Sequence, residues 1–298
     1  MKNFSLFFLT VLISFACSTK TKEMNTKEMN SGKEIKRNNI AIDYIQCGKG
    51  DTTLLFLHGW CINKEYWEAQ VDHFCYRYNV VAIDLPGFGK SGRNRDSWTF
   101  DEYREDVKAV IDSLQLKNVI LIGHSMSGDI LLKVDSWYPK SIIGIVGVDN
   151  LKDTGDLFTP QQVEEIDNFF SALSTNYKST VETYARAKLF HQSTDNTVIN
   201  RVVNDFRNAD SIIATKVLRS SLDAYQEEKQ LMHQLNHKLY LINSDSPPTN
   251  VKGLNKHCKY SVEVLTINGT GHYPMIEKPG AFNDALERAI KKIGSEVH

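Results

Sequence analysis

A serine closes an apolar run in Val119-Ile120-Leu121-Ile122-Gly123-His124-Ser125-Met126-Ser127-Gly128. The run reads as a buried strand, and a helical pattern starts directly after it. Gly123 and Ser127, two places before and after the serine, are small. A sharp strand-to-helix turn requires that, because bulky neighbours would collide where strand and helix pack closely. Such a turn holds a hydroxyl out of the sheet, where a base and a carbonyl carbon can reach it. The chemistry would be acyl transfer, which also needs an imidazole base, an acid to orient it and donors for the developing oxyanion. His272 supplies an imidazole in Gly269-Thr270-Gly271-His272-Tyr273-Pro274, where the glycines let a loop bend over a sheet edge. The backbone N–H groups of Met126, at the start of the helix, and of Trp60, in His58-Gly59-Trp60 after the apolar run ending at Leu57, are the candidate oxyanion donors.

The elements that must position these groups alternate. Residues 40–45, 53–57, 80–83, 119–122, 142–148, 239–242 and 261–267 read as strands. Residues 65–77, 100–114, 129–138 and 279–293 read as helices, the second with Thr99 as its cap. Continuous apolar strands separated by helices predict an α/β fold, with a mostly parallel central sheet covered by helices on both faces. Between residues 149 and 239 the pattern is helical only, over 159–171, 179–191, 197–207 and 210–225. This predicts a helical cap over residues 151–235, inserted into a core formed by 39–150 and 236–298. The cap would cover the carboxyl edge of the sheet, where open α/β sheets bind ligands. Tyr184, Phe190 and Tyr225 either line the pocket or form the cap's own core, and core is favoured because aromatic residues on helical faces usually pack.

The first residues stand apart. A basic start and the apolar residues 4–16 have the length of a signal peptide, so 1–16 is read as one. Cys17 follows Ala16, which resembles a bacterial lipoprotein signal and predicts export with a lipid anchor at that cysteine. Residues 17–38 contain Thr-Lys-Glu-Met-Asn twice in succession and almost no apolar surface, and are read as a disordered tether. The other cysteines, Cys47, Cys61, Cys75 and Cys258, fit no zinc spacing; export would permit disulfides whose pairing the spacing does not give, and free thiols are the favoured reading. A net charge of −1 over 298 residues, with scattered lysines, excludes a concentrated nucleic-acid-binding face.

Four motifs in this order are similar to those of the α/β-hydrolase fold family, in its capped serine hydrolase and esterase branch. They are His58-Gly59-Trp60, the stretch from Asp84 to Ser91, Gly123-His124-Ser125-Met126-Ser127-Gly128, and Gly271-His272-Tyr273-Pro274. The resemblance implies Ser125 as nucleophile, His272 as base, and a structural loop over residues 84–91. It leaves two places for the acid. The usual one, after residues 239–242, has Pro247 at the expected position, with Asp245 two residues earlier. The other, at the end of the preceding core strand, holds Asp149, and the proline favours it. A serine nucleophile excludes the aspartate-based members of the family, and no clustered ligands call for a metal. The expected activity is hydrolysis of a small-molecule ester or related acyl bond, without cofactor, on a substrate with an apolar acyl or alcohol part. A lactonase or carbon–carbon bond hydrolase would use the same groups, and a ligand-binding protein could keep the cleft without turnover. A histidine base must be neutral, so activity should fall below about pH 6.5.

Overall fold

The computed structural model describes residues 33–153 and 158–296. The apolar leader, Cys17 and the duplicated segment lie outside the described residues. Eight strands form one sheet: β1 (Lys33–Arg37), β2 (Ile40–Cys47), β3 (Thr53–Leu57), β4 (Asn79–Ile83), β5 (Val119–His124), β6 (Ile142–Val148), β7 (Leu239–Ser244) and β8 (Glu263–Ile267). Their order is β1-β2-β4-β3-β5-β6-β7-β8. Only the β1–β2 and β2–β4 pairs are antiparallel. Every residue of β3, β5 and β7 is buried, as the unbroken apolar runs require of strands covered on both faces.

The flanking helices are α1 (Glu68–Phe74), α2 (Phe100–Ser113), α3 (Ser127–Trp137) and α9 (Pro279–Glu296). Two short ones, α7 (Val251–His257) and α8 (Pro274–Glu277), sit in the C-terminal part. α1 packs on α9 and α2 on α3. The fully buried rings of Phe56, Trp67 and Phe282 meet between sheet and helices. Each such side chain contributes about 1.5–3 kcal/mol by leaving water.

Between β6 and β7 stand α4 (Pro160–Lys188), α5 (Asn196–Asn208) and α6 (Ser211–Gln234). The helices expected over 159–171 and 179–191 are one element with a break at Asn176, whose φ of −150° and ψ of 76° are not helical. Thr159 opens α4 with a reciprocal capping box to Gln162.

Two expectations are corrected. β1 lies inside the stretch read as tether. One buried side chain, Ile35, holds it to β2 among exposed charges, and its Arg37 reaches the buried Asp106 at 2.8 Å. A single apolar residue in a charged stretch carries no periodic signal. Cys47 and Cys75 form a disulfide, with Cα atoms 5.5 Å apart, while Cys61 and Cys258 are free. The end of β2 and the residue after α1 converge only in the tertiary structure.

Candidate active site

β3 lies between β4 and β5, so the chain leaves β3 and β5 side by side at their carboxyl ends. After β5, Ser125 takes a left-handed φ of 54° and α3 starts two residues later. A strained conformation of this kind costs roughly 1–3 kcal/mol and persists only where the surroundings enforce it. They do so here. The Ser125 N–H donates to the Val148 carbonyl at 2.9 Å, and the Asn150 side-chain amide donates to the carbonyls of Gly123 (2.8 Å) and Ser125 (3.1 Å). A Cβ on Gly123 would stand 2.8 Å from the Ser127 carbonyl oxygen, so the strand can approach the helix this closely only as glycine. Ser127 is fully buried, and its hydroxyl donates to the His58 carbonyl at 2.6 Å, tying the serine turn to the β3 exit.

His272 follows β8. Its backbone N–H donates to the Leu189 carbonyl at the end of α4, and its carbonyl accepts from His124 Nε2 at 2.7 Å. Burial and the neighbouring His272 push the His124 imidazole down to about 3, so it stays neutral. Held at both backbone ends, the His272 ring places Nε2 2.8 Å from Ser125 Oγ and Nδ1 2.7 Å from Asp149 Oδ2. With the proton on Nδ1, the ring donates to the carboxylate and accepts from the serine hydroxyl.

Asp149 directly follows β6 and has a φ of 46°. Its second oxygen, Oδ1, accepts from the Ser244 N–H at 2.7 Å and from Lys152 Nζ at 2.8 Å. Burial alone would raise this carboxyl. The hydrogen bond and charge of His272, followed by those of Lys152, outweigh burial and hold it well below the usual carboxylate range. Asp245 is exposed and does not contact the ring. It accepts from the Gly269 N–H at 3.0 Å and so braces the loop that carries His272.

The other turn approaches Ser125 from β3. A Cβ on Gly59 would lie 2.5 Å from His124 Nδ1 and 3.0 Å from Ser125 Cβ. His58 is fully buried and neutral, its pKa lowered chiefly by burial. It accepts from the Leu85 N–H at 2.9 Å through Nε2, so Nδ1 carries the proton and donates to the Gly59 carbonyl at 2.7 Å. In a trans peptide the N–H points opposite to the carbonyl, so this bond fixes the direction of the Trp60 N–H. Neither that amide nor the Met126 amide is hydrogen-bonded to a described residue.

Two chambers meet at Ser125 and His272. One, of about 300 Å³, is walled by Trp60, Phe206, Val217, Leu222 and Tyr225. The other, of about 610 Å³, is polar and includes Lys152, Asp153, Lys188, His191 and Thr270. Tyr184 and Tyr225 line both chambers and Phe190 lines the polar one, while Phe190 also packs against the core and the tyrosines meet Phe169 and Phe158, so the rings serve as packing and as cavity wall. Tyr184 stands on α4 and Tyr225 on α6, and Phe190 follows the end of α4. Asp84, in the loop read as structural, accepts from the backbone N–H groups of Lys64 and Lys90, each at 2.8 Å, away from Ser125. The sequence reading missed Asn150, Lys152 and the Ser127 hydroxyl bond. Lys152 had one local signal, its place three residues after an aspartate at a strand end. Among the described residues no group of His, Cys, Asp and Glu could hold a metal.

Residues 52–279 match the family model for the alpha/beta hydrolase fold. The AB hydrolase superfamily protein YisY of Bacillus subtilis is 41% identical over 81 residues, 27% of this chain and 30% of that protein. The pimeloyl-(acyl-carrier protein) methyl ester esterase of Yersinia pseudotuberculosis is 24% identical over 249 residues, 79% of this chain and 92% of that protein. The chain spans about a third to a half of the length of most curated relatives it matches. A solved thermophilic esterase from Thermogutta terrifontis shares the fold with a TM-score of 0.75 at 17% identity, covering 88% of this chain and 99% of that one. With a family model matching most of its length and this sheet order, the chain belongs to the alpha/beta hydrolase fold family.

Proposed function

We propose that the protein is a serine hydrolase that cleaves a carboxylic ester or related acyl bond of a small molecule through an acyl-enzyme. The observation that carries this reading is the unbroken line from Ser125 Oγ through the His272 ring to Asp149, at 2.8 and 2.7 Å. His272 Nε2 takes the hydroxyl proton as Ser125 Oγ attacks the carbonyl carbon. The Trp60 and Met126 N–H groups receive the resulting oxyanion, and the dipole of α3 favours its charge. As the intermediate collapses, the bond to the alcohol oxygen breaks and His272 returns the proton to that oxygen. Water then repeats the sequence on the acyl carbon, releasing the acid and restoring the Ser125 hydroxyl. This chemistry requires no cofactor. The ester-cleaving relative from Yersinia agrees with it.

The chambers suggest how the substrate lies. The leaving oxygen must face His272, and the alcohol part is placed in the polar chamber beside Thr270 and Lys188, whose donors suit an oxygen-bearing group. The acyl part then enters the apolar chamber, whose 300 Å³ suits a short to medium chain or a single ring. A series of esters with increasing acyl length should show a maximum in kcat/KM followed by a sharp fall.

The direct test is intact-mass analysis after exposure to a fluorophosphonate, with Ser125→Ala as control. One adduct that disappears in the variant is the expected result. A folded protein that forms no adduct would instead fit the binding-only alternative. The same reading includes export directed by residues 4–16 and lipidation of Cys17. Labelled palmitate incorporated by the wild type and not by Cys17→Ala is the expected outcome there.

A further inference from the structure

We propose that Lys152 is a positioning residue for the acid–base pair: its ammonium group, fixed on the far oxygen of Asp149, limits how strongly that carboxylate draws a proton onto His272. The inference rests on Ser125, His272 and Asp149 acting as proposed above, and nothing in the acyl-transfer scheme itself requires a lysine at this place.

The lysine is built into the site. Its Nζ lies 2.8 Å from Asp149 Oδ1, 2.7 Å from Ser244 Oγ and 3.3 Å from the Ser246 carbonyl oxygen. Its side chain is 12% exposed and that of Asp149 is 4% exposed, so water screens the pair poorly. The backbone is shaped to bring them together. Asp149 and Leu151 are both left-handed, with φ of 46° and 48°, and fold the segment back so that the side chain three residues on returns to the carboxylate. The Asn250 N–H donates to the Lys152 carbonyl at 2.8 Å and closes this turn against the β7 exit. The residues that hold the ammonium, Ser244 and Ser246, stand at the end of β7 and in the loop after it, where the family's usual acid would stand.

The consequence follows from charge sharing. Asp149 Oδ1 carries one neutral donor and one cationic donor, while Oδ2 serves His272 alone. A cation on the carboxylate weakens its pull on the imidazolium that forms as Ser125 loses its proton. Lys152 therefore offsets part of the attraction that Asp149 exerts on a proton at the ring.

The other groups around the ring differ in kind. His124, 4.7 Å away between ring centroids, is neutral, and Tyr273 presents a buried ring. Glu277 is occupied by the Gly271 N–H. Asp153, Lys188, His191 and Glu228 line the polar chamber without contact to Asp149, and Asp129 stands on the apolar side. Of the cationic side chains in this set, Lys152 is the one bonded to the acid.

The test is the pH dependence of fluorophosphonate inactivation between pH 4.5 and 9, which needs no knowledge of the substrate. The full-length protein is compared with Lys152→Met, Lys152→Gln and Lys152→Arg, each checked for folding by its thermal transition. Methionine keeps the aliphatic stem and glutamine keeps hydrogen bonds to Asp149 and Ser244, so a folded form of either variant suffices. In Lys152→Met and Lys152→Gln the acid limb should move to higher pH by about one unit, and Lys152→Arg should keep the wild-type limb. A limb that stays in place in a folded neutral variant overturns the inference while the serine hydrolase reading stands. So does an arginine variant displaced as far as the glutamine one, since packing rather than charge would then be at work. A wild type that is not inactivated at any pH removes both readings.

Discussion

The exits of β6 and β7 each carry an aspartate close to His272, and the two aspartates do different work. Asp149, at the β6 exit, is buried, reaches the imidazole at 2.7 Å and has both oxygens satisfied by donors. Asp245, at the β7 exit, is exposed and holds the N–H of Gly269. The difference lies in what surrounds each carboxylate. A charge facing solvent can brace a loop, but orienting an imidazolium takes a site where water is excluded and the carboxylate cannot rotate away. The β7 exit contributes to that site indirectly, through the Ser244 N–H and hydroxyl that hold Asp149 and Lys152.

The strongest way to break this comparison is to neutralise each carboxylate in turn. Asp149→Asn should lower kcat about 10³–10⁴-fold, because the amide cannot hold the imidazole in the required tautomer. Asp245→Asn should stay within about threefold, since an amide oxygen still accepts from Gly269. Ester hydrolysis by the two purified variants measures both, and a large loss in Asp245→Asn with a small one in Asp149→Asn would invert the assignment. Next in size is the β3 exit. In Gly59→Ala the new methyl would meet the His124 ring at 2.5 Å and push the turn away from Ser125. Losing one oxyanion donor corresponds to about 10²–10³ in kcat, with KM nearly unchanged. Smaller again is Ser127→Ala, which frees the His58 carbonyl from its 2.6 Å bond. A fall in kcat of about tenfold, without loss of the fluorophosphonate adduct, is the expected outcome.

The parts of this site legible in the sequence are those fixed by local backbone demands. Ser125 needs small neighbours at fixed offsets and a strand before it, and His272 needs glycines after the last strand, so both stand out in the chain. The central strands are legible for a similar reason, because burial on both faces leaves unbroken apolar runs. The acid is different. Two loops distant in sequence approach one imidazole, and which of them reaches it depends on tertiary placement that no spacing encodes. The same holds for Lys152, for the pairing of Cys47 with Cys75, and for the chamber-facing position of Tyr184 and Tyr225. Where the sequence reading had only a frequency to rely on, as with aromatic residues packing in a core, the structure has the rings serve as packing and as cavity wall.

A second buried aspartate sharpens the contrast from the other side. Asp129, four residues after Ser125 on α3, is buried beside Glu228 on α6 and not beside a cationic ring. Two buried carboxyl groups this close are costly to ionise together, so one of them keeps its proton. Burial, and for Glu228 also the neighbouring Asp129, pushes both well above the usual carboxylate range. For a group raised on folding, the stabilisation is fully present below its unfolded value near 4 and is lost as pH rises through the folded one. Asp149 is lowered instead, so its contribution is present at neutral pH and lost only in acid. In Asp129→Asn the amide can donate to an ionised Glu228, and the penalty at higher pH disappears. Thermal melts of this variant and the wild type should therefore diverge in the variant's favour between pH 5 and pH 9, by on the order of 1 kcal/mol. A difference in Tm that is constant across this range would mean that neither carboxyl keeps a proton in the folded protein above pH 5.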